Sequence, residues 1–132
     1  LPLIPLLPES LTTLDIWHCP DLTLIPPLPK SLTTLKIFLC NNSTLSSLPL
    51  PEGLITLKID LCVNLTSLPP LPEGLTTLRI QACHKLTSLP PLPESLTTLE
   101  IYSCHCLHVK KDVKLKYNTN IIGIGGIIHP MF

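Results

Sequence analysis

Leu75–Thr76–Thr77–Leu78–Arg79–Ile80–Gln81–Ala82–Cys83–His84–Lys85–Leu86 is the stretch on which the fold turns. Its opening, L-T-T-L, recurs at Leu11–Leu14, Leu32–Leu35 and Leu96–Leu99, and as L-I-T-L at Leu54–Leu57, at steps of 21 or 22 residues. Each copy continues as x-I-x-x-C. The isoleucines are Ile16, Ile37, Ile59, Ile80 and Ile101, and the cysteines are Cys19, Cys40, Cys62, Cys83 and Cys104. A leucine follows (Leu22, Leu45, Leu65, Leu86, Leu107), and then a proline-rich return such as Ser67–Leu68–Pro69–Pro70–Leu71–Pro72–Glu73.

Recurrence at a fixed short period is the mark of a solenoid, in which each unit buries its apolar side against its neighbours. Alternation in L-x-I turns Leu14 and Ile16 one way and Asp15 and Trp17 the other. A strand this short does not stand alone, but copies stacked about 4.8 Å apart form a parallel sheet. The pattern therefore predicts a β-rich solenoid with a parallel sheet on one face. The prolines of the return segments hold an extended, polyproline II convex side and exclude helix, so little or no α-helix is expected. Glu9, Lys30, Glu52, Glu73 and Glu94 fall at a solvent turn. Gly53 and Gly74 stand where other copies have Ser10, Ser31 and Ser95, so no positive φ is expected there. The one extra residue of the second interval is placed in a bulge at Asn41–Thr44.

The unit L-x-x-L-x-I-x-x-C-x-x-L resembles the leucine-rich-repeat signature, with Cys where many members have Asn. The segment Leu65–Thr66–Ser67–Leu68–Pro69–Pro70–Leu71–Pro72–Glu73–Gly74–Leu75 is similar to the short repeats of type III-secreted bacterial leucine-rich-repeat effectors. Leu14–Asp15–Ile16–Trp17–His18–Cys19–Pro20–Asp21–Leu22 also resembles repeats of plant nucleotide-binding immune receptors. The resemblance spans residues 1–107, an array of about five repeats, with residues 108–132 as an atypical last strand and a cap or docking tail. It implies a module that binds proteins. Some such effectors carry a separate ubiquitin-ligase domain with a Cys-x-Asp motif. Cys19–Pro20–Asp21 matches those letters, but Cys19 is the first rung of the cysteine ladder and is read as structural.

Five of the six cysteines share one column, each a small buried side chain after a strand whose S–H is a weak donor to nearby carbonyls. All are expected reduced, which favours a reducing compartment such as the cytoplasm, in a host cell if the effector likeness holds. Asn118 is read as the sixth rung of the same ladder. The one candidate metal site is Cys104, Cys106 and His108, soft ligands close in sequence but without a second pair nearby, so no metal or cofactor is assigned. His18 and His84 are read as isolated surface histidines.

Nine basic and nine acidic residues leave no surplus charge for nucleic acid or an anionic membrane. The longest apolar run, Ile121–Ile128, contains three glycines and is too short to span a bilayer. No signal-peptide pattern opens the chain, which starts inside a repeat without a polar cap. That suggests a fragment of a longer array or an end covered by another molecule. Val113–Asn118 is expected to form a truncated sixth strand, its lysines guarding the edge. Ile121–Ile128 is expected to fold over the open end or to dock on a neighbour.

No nucleophile, base and orienting group converge, and no enzymatic site is expected. The outward columns read Asp15, Lys36, Lys58, Arg79, Glu100 and Trp17, Phe38, Asp60, Gln81, Tyr102. Asp15 with Lys36 and Arg79 with Glu100 are expected to pair across strands. Aromatics beside charges have the composition of a protein-binding surface. These ten residues are the candidate interface with another protein. The rival reading is a structural protein that associates with itself, end to end or through its tail, into a fibre or shell.

Overall fold

A computed structural model describes residues 7–18, 27–40, 47–109 and 113, together with the backbone of 121–122. It is a parallel β-solenoid. The strands are β1 Thr13–Trp17, β2 Thr34–Phe38, β3 Thr56–Asp60, β4 Thr77–Gln81, β5 Thr98–Tyr102 and β6 Ile121–Ile122. They lie in one sheet in chain order, every neighbour parallel. The register pairs like with like: Leu14 faces Leu35, Leu35 faces Leu57, and the isoleucines follow suit. Within residues 7–109 the described residues contain no α-helix, and no helix is long and apolar enough to cross a membrane.

The register follows from burial. Slipping a strand by one residue would turn its Leu and Ile outward. Leu35, Leu57, Leu78 and Leu99 are fully buried, and Ile37, Ile59, Ile80 and Ile101 nearly so. The last leucine of each cysteine turn (Leu65, Leu86, Leu107) and the leucine that opens each coil (Leu32, Leu54, Leu75, Leu96) close the core from the other sides. Leu71, Leu89 and Leu92 of the proline-rich returns pack against it from the convex side. Among the described residues those returns carry no strand and no α-helix, only a 3-10 residue at Ser47. In β1 the leucine column is less covered: Leu14 is only half-buried.

Two reverse turns shape each coil. At the proline corner the amide of the following leucine donates to the proline carbonyl three residues back, as from Leu32 to Pro29 (3.1 Å) and from Leu75 to Pro72 (3.2 Å). At the cysteine corner Leu65 donates to Cys62 and Leu107 to Cys104, both at 3.1 Å. Both corners end on a buried leucine, so the turn geometry and the core fix each other.

Gly53 and Gly74 adopt no positive φ, as the Ser substitutions imply. Ser31 uses that position to donate to the Leu11 carbonyl of the preceding coil (2.6 Å), and Ser95 donates to Leu75 (2.7 Å) and to the Glu73 carbonyl. Glu9, Lys30, Glu52, Glu73 and Glu94 are exposed at the corner. The left-handed backbone lies elsewhere. His18, Leu39, Leu61, Ala82 and Ser103, the residues just after each strand, have φ between 49° and 56°.

The sixth strand is not where the alternation of Val113–Asn118 placed it. Val113 is helical and half-buried against the core, and the strand that extends the sheet is Ile121–Ile122, opposite Ile101 and Tyr102. Cys19, Asn118, the bulge at Asn41–Thr44, Lys110, Lys111, Lys114, Lys116 and Gly123–Ile128 lie outside the described residues.

Candidate functional site

The outward face of the sheet carries the ten residues of the candidate interface. The pleat sets it: in each strand the first, third and fifth side chains turn away from the core. Thr13, Thr34, Thr56, Thr77 and Thr98 form its first column, the charges its second, and Trp17, Phe38, Asp60, Gln81 and Tyr102 its third. The ten residues singled out in the sequence therefore share one face, in register on five adjacent strands.

Trp17 and Phe38 stack with ring centroids 4.5 Å apart and planes 4° from parallel. Trp17 remains 59% exposed even so. Neighbouring rungs of a parallel sheet bring equivalent side chains within stacking reach, so the pair is a direct consequence of the repeat. Leu39 and Leu61, carried on the positive-φ residues, lie partly exposed along the border of this face.

Asp60 departs from the expected exposure. It is 7% exposed, walled by Phe38 and Gln81 on the adjoining strands. Its Oδ1 has no hydrogen-bond partner. Burial pushes its carboxyl above the ordinary range, against the pull of nearby Arg79 and Lys58. Alternation along the chain does not reveal this, because the exposure of a strand residue also depends on its register partners on the adjacent strands. Bulky Phe38 on one side and a tethered Gln81 on the other cover a short side chain between them.

In place of the expected Arg79–Glu100 pair, both residues bond along their own strands. Asp15 does stand opposite Lys36, and Arg79 opposite Glu100. Arg79 instead donates from Nη2 to Gln81 Oε1 (2.7 Å), and the Tyr102 hydroxyl donates to Glu100 Oε2 (2.9 Å). Alternate residues on one face of a strand lie about 6.8 Å apart, within reach of long side chains such as these, whereas an exposed ion pair gains little from being formed. The Glu100 carboxylate raises the Tyr102 phenol, first through that hydrogen bond. The Arg79 guanidinium also lies 5.8 Å from the Tyr102 ring centroid, within cation–π range. Its Nε is buried and without a partner.

Four rungs of the cysteine ladder lie within the described residues. Cys40, Cys62, Cys83 and Cys104 are buried and reduced, and Cys106 is exposed and reduced. Each buried thiol donates back across the positive-φ residue to the last carbonyl of its strand: Cys40 to Phe38 (3.4 Å), Cys62 to Asp60 (3.6 Å), Cys83 to Gln81 (3.6 Å), Cys104 to Tyr102 (3.5 Å). Contact with the Cys104 and Cys62 sulfurs, together with burial, holds the Cys83 thiol far above its ordinary range, so it stays protonated. Cys104 points into the core while Cys106 and His108 are exposed, which separates the three sequence candidates for a metal. Among the described residues no three His, Cys, Asp or Glu side chains come together to hold an ion. His84 is not isolated: its ring stacks on His105 at 5.7 Å, one coil apart.

Compared with protein-family models, curated proteins and solved structures, the chain shows no match. Its functional reading therefore stands on its own geometry.

Proposed function

We propose that the chain is a leucine-rich-repeat module that binds another protein through the outward face of its parallel sheet. The observation that carries this reading is the Trp17–Phe38 stack: a large aromatic surface, more than half open on Trp17, beside columns of charge on a regular sheet. Buried aromatics and arginines dominate the energetics of protein interfaces, and here both occur on one face. The register supports it further, since the sheet holds these side chains at fixed spacing and little ordering remains to be done on binding. The aliphatic columns and the cysteine ladder account for the rest of the repeat as scaffold.

The test is site-directed photo-cross-linking in extract from the source cells. A photoreactive phenylalanine at Phe38 should capture a discrete partner, whereas the same group at Pro70 on the exposed convex return should not. The Trp17→Ala, Phe38→Ala double variant, checked for retained β-sheet by circular dichroism, should lose capture from a neighbouring position such as Thr56. Equal capture from both sides of the solenoid would reject this face as the docking surface.

A further inference from the structure

The outward face carries an unbalanced charge at its centre. Lys36, Lys58 and Arg79 stand directly opposite one another on β2, β3 and β4. Like charges in that arrangement repel and destabilise the pairing. Among the described residues no carboxylate forms an ion pair with any of the three. Asp60, whose carboxylate feels both Arg79 and Lys58, is buried with Oδ1 unpartnered, and Arg79 keeps a buried Nε without an acceptor. Buried polar atoms are rarely left unpaired, and each such exception asks for an explanation.

We propose that Lys36, Lys58 and Arg79 form a docking site for an acidic segment of a partner protein, with an apolar side chain of that segment resting on the Trp17–Phe38 stack. This deepens the binding reading above and rests on it. Charge complementarity sets the occupant. Three cations with one buried carboxylate among them leave a local positive surplus in a chain whose formal charge is zero. The column is bounded by Asp15 on β1 and Glu100 on β5, so the attractive stretch is three strands wide. Strands spaced about 4.8 Å make that roughly 10 Å, and an extended chain sets alternate side chains about 6.8 Å apart. A Glu-x-Glu segment fits across it. A phosphate backbone would run on into the acidic borders. The guanidinium of Arg79 can exchange its single bond to Gln81 for the bidentate geometry that a carboxylate offers.

The probe is a fluorescein-labelled peptide, Leu-Thr-Glu-Thr-Glu-Thr-Glu, compared with its Lys-for-Glu counterpart and with oligothymidylate by fluorescence anisotropy at low and moderate salt. The acidic peptide should bind in preference to both, and salt should weaken it. Lys58→Glu should weaken binding by roughly ten-fold, with Lys58→Gln between it and the parent. Asp60→Asn should tighten it several-fold, because the competing negative charge is gone; a carboxylate with a merely structural role would not move affinity in that direction. Preference for the oligonucleotide, no binding of either peptide, or acidic-peptide binding indifferent to Lys58→Glu overturns the acidic assignment. Capture of the basic peptide, lost in Trp17→Ala, overturns it too while leaving the face as a docking surface, so the two readings fail separately.

Discussion

At the residue scale the repeat turns on a left-handed residue that no glycine supplies. His18, Leu39, Leu61, Ala82 and Ser103 all hold φ near 50°, and from there the backbone amide reaches the next strand, as from Ala82 to Tyr102 O (2.9 Å). An L-residue in that conformation is destabilised by about 1–2 kcal/mol. The ladder bond and the thiol bond across it offset the strain. Ala82→Gly should therefore stabilise the protein by about 0.5 kcal/mol after the added entropy of the unfolded glycine, and Ala82→Val should destabilise it by about 1 kcal/mol or more, both read from urea midpoints. Asp60 yields a second expectation with a definite sign. Its carboxyl is raised in the fold by burial, so the folded state holds the proton more tightly than the unfolded chain does. The stability linked to that proton is fully present below the ordinary aspartate range and is lost as the pH rises through the folded value. Asp60→Asn should thus be more stable than the parent at pH 7, and the difference should shrink toward pH 3. A neutral-pH difference of zero in thermal melts would show that Lys58 and Arg79 already offset the burial. Neither feature is legible in the sequence, since the positive-φ column holds His, Leu, Ala and Ser, and the burial of Asp60 is decided by Phe38 and Gln81 on other strands.

At the element scale the strands are the legible part. Five copies of L-x-I mark β1 to β5 and their inward faces, because period-two alternation and a buried side leave one register open. Alternation alone fails at the end of the array: Val113–Asn118 has the pattern, yet β6 forms at Ile121–Ile122 and Val113 is helical. Once the proline-rich returns stop, nothing in the sequence fixes how far the chain travels before it rejoins the sheet. The corners are half legible. The Gly/Ser interchange shows that no special φ is needed, but not that the serines tie one coil to the last. Gly74 lacks that tie, and a Cβ there would meet only ordinary contact, 3.8 Å from the Glu52 carbonyl. Gly74→Ser should place a hydroxyl against the Leu54 carbonyl as Ser95 does against Leu75, and stabilise the protein by about 1 kcal/mol through the new bond and the stiffer unfolded chain. Gly53 is tighter, 3.3 Å from the Lys30 carbonyl, and the same change there should gain less. Denaturant titration of the two variants side by side separates them.

At the scale of the whole molecule, every strand pairs only with its neighbours in the chain, so stability is carried from coil to coil rather than through a shared centre. The outward face depends on that continuity, because the Trp17–Phe38 stack and the Lys36, Lys58, Arg79 column each span strands that must stay in register. A defect in one coil should therefore be felt as a gradient. Leu78 is fully buried in β4, and truncating such a side chain costs about 2–5 kcal/mol. Leu78→Ala should lower amide protection most in β3, β4 and β5, where it removes a contact directly. The loss in β1 and β2 should be smaller, although Leu14 shows that β1 starts from a less covered core. Hydrogen exchange read strand by strand measures this directly. Equal loss of protection in all strands would mean that the array unfolds as one cooperative unit. In that case a remote core variant would disturb the outward face as much as a local one, and only surface substitutions such as Trp17→Ala or Lys58→Glu would report on binding without also reporting on the fold.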